Sequence, residues 1–119
     1  MKTVGIIAEY NPFHLGHKYQ IDKIRETFGE DTVIVAVMSG NITQRGEIAI
    51  FDKATRAEAA VNCGVNLVLE LPFPHCASGA QFFAEGGVNI LNALGAIEYL
   101  GFWTSPLVLR ILTAAQLFT

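Results

Sequence analysis

The stretch that decides the fold is Thr3-Val4-Gly5-Ile6-Ile7-Ala8-Glu9-Tyr10-Asn11-Pro12-Phe13-His14-Leu15-Gly16-His17. Its first half is a short apolar run, which is typical of a strand buried on both faces of a parallel sheet. Its second half contains Pro12 and Gly16 and predicts a loop, and a helical pattern follows at residues 17–27. The chain therefore begins with a strand, a loop and a helix.

The same alternation continues along the chain. Three further strands are predicted from apolar runs, at residues 32–38, 66–71 and 96–102. Two further helices are predicted, at residues 53–63 and 80–94. Strands that alternate with helices predict an α/β fold with a parallel sheet and right-handed crossovers. Ligands of such sheets bind beyond the carboxyl ends of the strands, so the polar loops that follow the first two strands are the candidate site.

Composition excludes several classes of protein. The chain has 119 residues, of which 51% are hydrophobic and 16% charged. This length fits one domain, and the apolar content excludes a disordered chain. A formal net charge of −3 excludes a chain-wide basic surface for nucleic acid. With only two cysteines and no long apolar segment at the N-terminus, the sequence predicts a cytoplasmic protein without a membrane span.

The sharpest chemical feature is the pair His14 and His17, at the start of the first predicted helix. Side chains three residues apart lie near one another on a helix, and the N-terminus of a helix favours an anion. Imidazoles in this place can donate hydrogen bonds to phosphate oxygens, and Gly16 leaves room for a nucleotide to approach the backbone. The pattern indicates nucleotide binding and charge stabilisation during attack at a phosphorus atom.

Two other interpretations of this histidine pair stay open. A zinc site would need a third ligand, for which His75, Cys76 or an acidic residue is available in the sequence. The second alternative is a purely structural role for both histidines.

Further short motifs accompany the histidines. They are Glu9-Tyr10-Asn11-Pro12-Phe13, Met38-Ser39-Gly40-Asn41, Gln44-Arg45-Gly46-Glu47, Asp52-Lys53 with Arg56-Ala57, and Leu69-Glu70-Leu71-Pro72-Phe73. Together with His14-Leu15-Gly16-His17, this ordered set resembles the bacterial tRNA(Met) cytidine acetate ligase family of the HxGH nucleotidyltransferase superfamily. The resemblance implies a Rossmann-like parallel sheet of the HxGH nucleotidyltransferase type, of which this chain holds an incomplete part.

The resemblance also implies an activity. The family uses ATP to activate acetate as acetyl-adenylate and then acetylates N4 of the wobble cytidine of elongator tRNA(Met). The implied partners are therefore ATP, acetate and tRNA(Met), and Mg²⁺ is expected with ATP. His14 and His17 are the implied catalytic residues. The family's ATP-binding stretch carries over onto Ile7, Ala8, Glu9, Tyr10, Asn11, Pro12, Phe13, His14, Leu15, Gly16, His17, Lys18, Tyr19 and Gln20.

Secondary candidates follow the second strand or lie in the next helix, and they are Ser39, Gly40, Arg45, Lys53 and Arg56. The three basic side chains are of the types that bind phosphate or tRNA, and the alternative is that they are solvent-exposed charges. Glu70 lies within an apolar strand, where a charge needs a partner, so we expect it to pair with Lys53 or Arg56.

The resemblance stops after Leu100. Trp103 stands where the family is expected to have a glycine, and Gly101 is a weaker substitute candidate for that glycine. As a helix, residues 106–119 would be apolar on all sides and would require burial. We therefore predict an ATP-binding domain at residues 1–100 and a divergent apolar tail at 101–119, in a truncated chain that lacks the family's tRNA-binding region.

Two alternative functions stay open at this point. One is a different adenylyl-transferring nucleotidyltransferase, because other members of the superfamily share the HxGH loop. The other is a non-catalytic remnant, in which the apolar tail needs a partner to cover it.

Overall fold

The computed structural model describes residues 1–10, 13–42, 47–71, 80–105 and 108–113, and at 80–83, 102–105 and 108–112 it describes the backbone alone. In chain order the elements are β1 (Thr3–Ala8), α1 (Leu15–Phe28), β2 (Val33–Ser39), α2 (Lys53–Asn62), β3 (Leu67–Leu71), α3 (Ala80–Leu94), β4 (Tyr99–Ser105) and β5 (Val108–Thr113). The predicted alternation of strands and helices is confirmed. The fourth strand begins later than predicted, at Tyr99 rather than at residue 96.

The described strands form one sheet in the order β3-β2-β1-β4-β5. Strands β1 to β4 are parallel, whereas β5 is antiparallel to β4. Because β2 and β3 extend to one side of β1 and β4 lies on its other side, the strand order reverses at β1. In sheets of this kind the crevice at the reversal, beyond the carboxyl ends of the strands, is where ligands bind.

The two faces of the sheet carry different helices. Alternate residues of a strand point to opposite faces, so Ile34 and Ala36 of β2 join one apolar cluster while Val35 and Val37 join the other. The first cluster includes Ile21 and Ile24 of α1 and Ala60 of α2, and the second includes Leu91 of α3. Helices α1 and α2 therefore cover one face and α3 covers the other.

Two glycines allow α3 to lie unusually close to β1. A Cβ atom on Gly5 of β1 would lie 2.7 Å from Leu91 Cδ1, and one on Gly87 of α3 would lie 2.8 Å from Ile7. A side-chain carbon does not come this close to a neighbouring carbon, so the close packing is possible only because Gly5 and Gly87 have no side chain. This packing holds β1, which leads directly into the candidate site, against α3.

The apolar tail is not a helix where the structure describes it. Residues Val108–Thr113 form β5, which pairs with β4 from Tyr99↔Thr113 to Ser105↔Val108. An apolar run of this length fits a strand or a buried helix equally well, and β-branched residues favour the strand. Among the described residues, no helix is both long enough and apolar enough to cross a membrane.

Candidate active site at the carboxyl end of the sheet

The predicted histidine pair lies at the first turn of α1. His14 is the N-cap residue, with extended backbone, and its Nδ1 accepts a hydrogen bond from the Gly16 N–H at 3.0 Å. His17 makes the reciprocal hydrogen bond, in which its Nδ1 accepts from the His14 N–H at 3.1 Å. This is a capping box in which both side chains are imidazoles. It satisfies two N–H groups that the start of a helix would otherwise leave unpaired.

These hydrogen bonds assign the protonation of both rings. An imidazole nitrogen that accepts a hydrogen bond carries no proton, so a neutral ring with Nδ1 as acceptor has its proton on Nε2. The two rings stack, with centroids 3.8 Å apart and an angle of 22° between their planes. His14 and His17 thus present two Nε2–H donors, on stacked rings, at the N-terminus of α1.

His17 is held neutral by its surroundings. Its ring lies 4.8 Å from the ring of Tyr10 and 5.4 Å from that of Phe13. Burial, together with the neighbouring His14, lowers the pKa of His17 to about 4. At neutral pH His17 is therefore an uncharged hydrogen-bond donor.

Tyr10 supports His17 from an unusual backbone conformation. Its φ is +54°, in the left-handed region that residues with a side chain rarely adopt. The side chain is fully buried at 1% exposure, and its ring meets Phe13 edge-on at 4.8 Å. Burial also raises the pKa of the Tyr10 hydroxyl, which keeps it protonated.

Gly16 is required by the histidine pair itself. A Cβ atom at this position would lie 2.9 Å from Cε1 and 3.1 Å from Nδ1 of His14. The absence of a side chain therefore makes room for the His14 ring over the first turn of α1. The sequence predicted that Gly16 makes room for a ligand, and the space next to it is occupied by this imidazole.

The other residues of the predicted ATP-binding stretch do not all lie together. Ile7 packs beneath Gly87 of α3, and Gln20 is buried at 2% exposure. Lys18 is paired with Asp22 along the helix at 2.8 Å, and this hydrogen bond raises the pKa of Lys18. Leu15 and Tyr19 are exposed. Asn11 and Pro12 lie outside the described residues.

Two of the secondary candidates, Gly40 and Lys53, lie next to Glu70. Lys53 and Glu70 make the expected ion pair, with 2.9 Å between Nζ and Oε2, and both side chains are about half exposed. Gly40 lies against this pair, since a Cβ atom there would overlap the Glu70 carboxylate. Gly101 is buried on β4, level with Ile6 of β1. Arg45 is not among the described residues.

Arg56 is not the solvent-exposed charge that the sequence allowed. It is 1% exposed and donates hydrogen bonds to main-chain carbonyls, among them that of Ser39 at 3.1 Å. Burial lowers the pKa of its guanidinium, and the carboxylates of Glu9, Asp52 and Glu70 act in the opposite direction. An arginine stays charged under both influences.

Sequence reasoning missed the part played by Asn41. Its side-chain oxygen accepts from the Lys53 N–H at 2.8 Å, and its carbonyl accepts from the Ala49 N–H at 2.9 Å. Asn41 thereby fixes the start of α2 next to the end of β2. The available signal was an Asn directly after Ser39-Gly40, a residue type that bonds nearby backbone in turns.

A zinc site finds no support where the structure can be read. No group of three or more His, Cys, Asp or Glu side chains in the described ranges is arranged to hold a metal ion. His75 and Cys76, the suggested third ligands, fall in the undescribed segment 72–79.

The fold and the capping histidines define a class of protein, and comparison with known families agrees. The sequence model of the HIGH Nucleotidyl Transferase family matches residues 1–115, and the chain belongs to this family. Within it, the predicted resemblance to tRNA(Met) cytidine acetate ligases is confirmed. The chain is 52% identical over 117 residues to the protein of that name from Ligilactobacillus salivarius (strain UCC118). This alignment covers 98% of the chain and 30% of the relative.

A solved structure shows the same likeness. The structure of Thermotoga maritima TmcAL bound with alpha-thio ATP is similar with a TM-score of 0.78 and 46% identity, over 84% of this chain and 24% of that one. The apo form of the same protein gives 0.77. The predicted α/β nucleotidyltransferase fold is thus confirmed. The chain spans less than a third of the length of the curated relative from Ligilactobacillus salivarius.

Proposed function

We propose that this chain carries the ATP-binding part of a tRNA(Met) cytidine acetate ligase. In this reaction ATP activates acetate as acetyl-adenylate, and the acetyl group then passes to N4 of the wobble cytidine of elongator tRNA(Met). The proposal covers the whole family reaction, whereas the residues described here bear on its first step. The cytoplasm, as the compartment of tRNA modification, is part of the same proposal.

The observation that carries the proposal is the stacked pair of Nε2–H donors at the start of α1. In the first step a carboxylate oxygen of acetate attacks the α-phosphorus of ATP. The bond from the α-phosphorus to the bridging oxygen breaks, and pyrophosphate leaves with the electron pair. Negative charge shifts toward the phosphate oxygens, so fixed N–H donors aimed at them stabilise the transition state.

Neutral imidazoles suit this task. Because the pKa of His17 is about 4, its ring stays uncharged near pH 7 and acts as a hydrogen-bond donor through Nε2–H. The dipole of α1 adds a favourable potential for an anion at the same place. A relative solved with an ATP analogue supports ATP as the nucleotide.

Mg²⁺ belongs to this proposal as a companion of ATP. Mg²⁺ keeps several of its waters and binds through substrate phosphates with one or two carboxylates. Glu9, directly after β1, supplies a carboxylate five residues before His14 in the sequence. The ion would neutralise phosphate charge, while the histidines and the start of α1 orient the nucleotide.

Calorimetric titration with ATP and Mg²⁺ tests the proposal. We expect the wild-type chain to bind, and His17→Ala to bind about tenfold more weakly or worse, because a hydrogen bond to a charged group contributes at least about 1.5 kcal/mol. Lys23→Ala is the matched control, because Lys23 lies on the same helix and only pairs with Glu26 at the surface. Equal affinity of wild type and His17→Ala, or no binding by the wild type, would contradict the proposal.

Product analysis addresses the alternative nucleotidyltransferases. With ATP and labelled acetate, we expect acetyl-adenylate and pyrophosphate. Adenylylation of pantetheine phosphate or nicotinamide mononucleotide instead would assign the chain to a different reaction. A chain that binds ATP but forms no product with any acceptor would fit the non-catalytic remnant.

A further inference from the structure

Arg56 makes an unusually complete set of hydrogen bonds. Its Nε donates to the carbonyl of Phe51 at 3.0 Å, and its Nη1 donates to those of Glu9 at 2.7 Å and Ser39 at 3.1 Å. Its Nη2 donates to the carbonyl of Gly40. A guanidinium has five N–H donors, so nearly all of its capacity is spent on the main chain. This leaves little with which Arg56 could bind a phosphate directly.

The acceptors of Arg56 lie where two neighbouring strands end. In the ladder between β1 and β2 the last paired residues are Ala8 and Met38, so Glu9 and Ser39 are the next residues of each strand. Beyond this level the β1–β2 ladder ends, while Ser39 still pairs with Leu71 of β3. At this point the guanidinium donates hydrogen bonds to carbonyls of both strands. A buried backbone carbonyl requires such a hydrogen-bond donor.

One of these contacts reaches the histidine pair. The carbonyl of Glu9 belongs to the peptide unit that precedes Tyr10, the residue with φ of +54°. A side chain in the left-handed region is kept there only when its surroundings fix it. Arg56 fixes the peptide unit that precedes Tyr10, and burial fixes the ring of Tyr10 itself. That ring in turn lies 4.8 Å from the ring of His17.

We propose that Arg56 is a positioning residue, which holds the ends of β1 and β2 so that Tyr10 fixes the orientation of His17. This inference rests on the proposed function, in which His17 donates to the nucleotide. It differs from the expectation that Arg56 binds phosphate or tRNA. Arg56 acts through the main chain of Glu9, and the nucleotide contact is made by the histidine.

Substitution by lysine is the informative change. Lysine keeps the positive charge, but its single ammonium group cannot match a planar fork that serves carbonyls on both sides. Arg25→Lys is the matched control, because Arg25 is also an arginine that donates across the fold, to Thr32 O at 3.2 Å and Asn66 Oδ1 at 2.8 Å. Its acceptors lie at the opposite end of the sheet, before β2 and β3.

The first readout is the pKa of His17, measured by NMR in the folded chain without nucleotide. In the wild type we expect a value of about 4. In Arg56→Lys we expect a rise of about one unit or more, because Tyr10 no longer holds the ring in a buried position. Arg25→Lys should leave the value unchanged even if it lowers stability. An unchanged His17 pKa in folded Arg56→Lys would overturn the inference.

The second readout is ATP affinity, which separates this inference from the proposed function. We expect Arg56→Lys to bind ATP about tenfold more weakly and Arg25→Lys to match the wild type. If the wild type does not bind ATP, the proposed function fails, while the His17 pKa still tests the positioning role. If both arginine variants bind as the wild type does, the positioning role fails and the proposed function stands.

A third readout needs no variant, so it holds if Arg56→Lys does not fold. In the wild-type chain we expect the Nε–H and Nη–H protons of Arg56 to exchange slowly and to be resolved by NMR. Saturating ATP should shift them only slightly, because their acceptors are carbonyls. Fast exchange, or a large shift on ATP binding, would show that the guanidinium is available to a ligand and would contradict the inference.

Discussion

The imidazole rings of His14 and His17 stack 3.8 Å apart while the Nδ1 atom of each accepts a main-chain N–H at the start of α1. The same two hydrogen bonds cap the helix and fix both rings in the form that carries its proton on Nε2. The capping role and the proposed binding role therefore involve the same pair of side chains. From the sequence, a structural role and a functional role for the two histidines are alternatives. In this structure one role does not exclude the other.

Stability should fall as the pH is lowered because of His17. Its folded pKa of about 4 lies below the ordinary value of 6.5, so between these pH values the unfolded chain binds more protons than the folded one. The free energy of unfolding should therefore decrease from pH 6.5 to 4, by at most about 1.4 kcal/mol per unit from this residue. Urea denaturation over this range measures it. His17→Gln removes the imidazole and keeps every carboxylate, so it separates the effect of His17 from that of the carboxylates. Equal slopes of the unfolding free energy against pH for the variant and the wild type would refute the prediction.

Gly16→Ala should separate stability from binding. The new methyl group would lie 2.9 Å from the His14 ring, which must rotate away because it is the exposed, movable partner. Alanine also favours a helix by up to about 1 kcal/mol over glycine, which offsets the lost capping hydrogen bond of His14, so we expect little change in stability. ATP affinity should fall about tenfold with the loss of one aligned donor. Thermal unfolding and calorimetry measure the two effects, and unchanged ATP affinity would argue against the stacked arrangement.

Tyr10→Phe should not destabilise the chain. Within the described part of the chain the Tyr10 hydroxyl is buried and has no hydrogen-bond partner. An unsatisfied buried polar group costs about 1–3 kcal/mol, so its removal should leave stability equal or raise it by up to about 1 kcal/mol. Urea denaturation gives the value. Tyr10→Ala is the contrasting variant, with an expected loss of about 3–5 kcal/mol, and a loss above about 1 kcal/mol for Tyr10→Phe would show that the hydroxyl has a partner.

Gly87→Ala should destabilise the chain although it lies in a helix. Helix propensity favours alanine by about 1 kcal/mol. The added Cβ, however, would meet three carbons of Ile7 at 2.8–2.9 Å, and such overpacking costs about 1–3 kcal/mol. We therefore expect a net loss in thermal unfolding. Asn89→Ala, at an exposed position of α3, is the control for propensity alone, and a gain in stability for Gly87→Ala equal to that of the control would contradict the close packing.

The sequence predicts the sheet well because the buried strands are short apolar runs that read clearly. It also predicts the pairing of Glu70 with Lys53, since a charge beside Leu69 and Leu71 needs a partner. The tail was ambiguous because an apolar run such as 108–113 has no period that separates a strand from a buried helix. In the structure this run pairs with β4 and is therefore a strand.

Arg56 marks the limit of sequence reasoning about the site. Its charge and its place in a helix are visible in the sequence, but its acceptors are carbonyls of residues as distant as Glu9. Main-chain carbonyls are the same in every residue and leave no trace in a motif. The role of Tyr10 is hidden for a similar reason, because a positive φ at a tyrosine is set by tertiary contacts.

NMR of the chain with ¹⁵N-labelled histidine, recorded with and without ATP and Mg²⁺, tests the central claim most directly. At neutral pH we expect His17 to be neutral, both Nδ1 atoms to accept hydrogen bonds with the proton on Nε2, and both Nε2–H signals to shift downfield when ATP binds. A proton on Nδ1, a charged His17, or Nε2–H signals that do not move at saturating ATP would contradict the account.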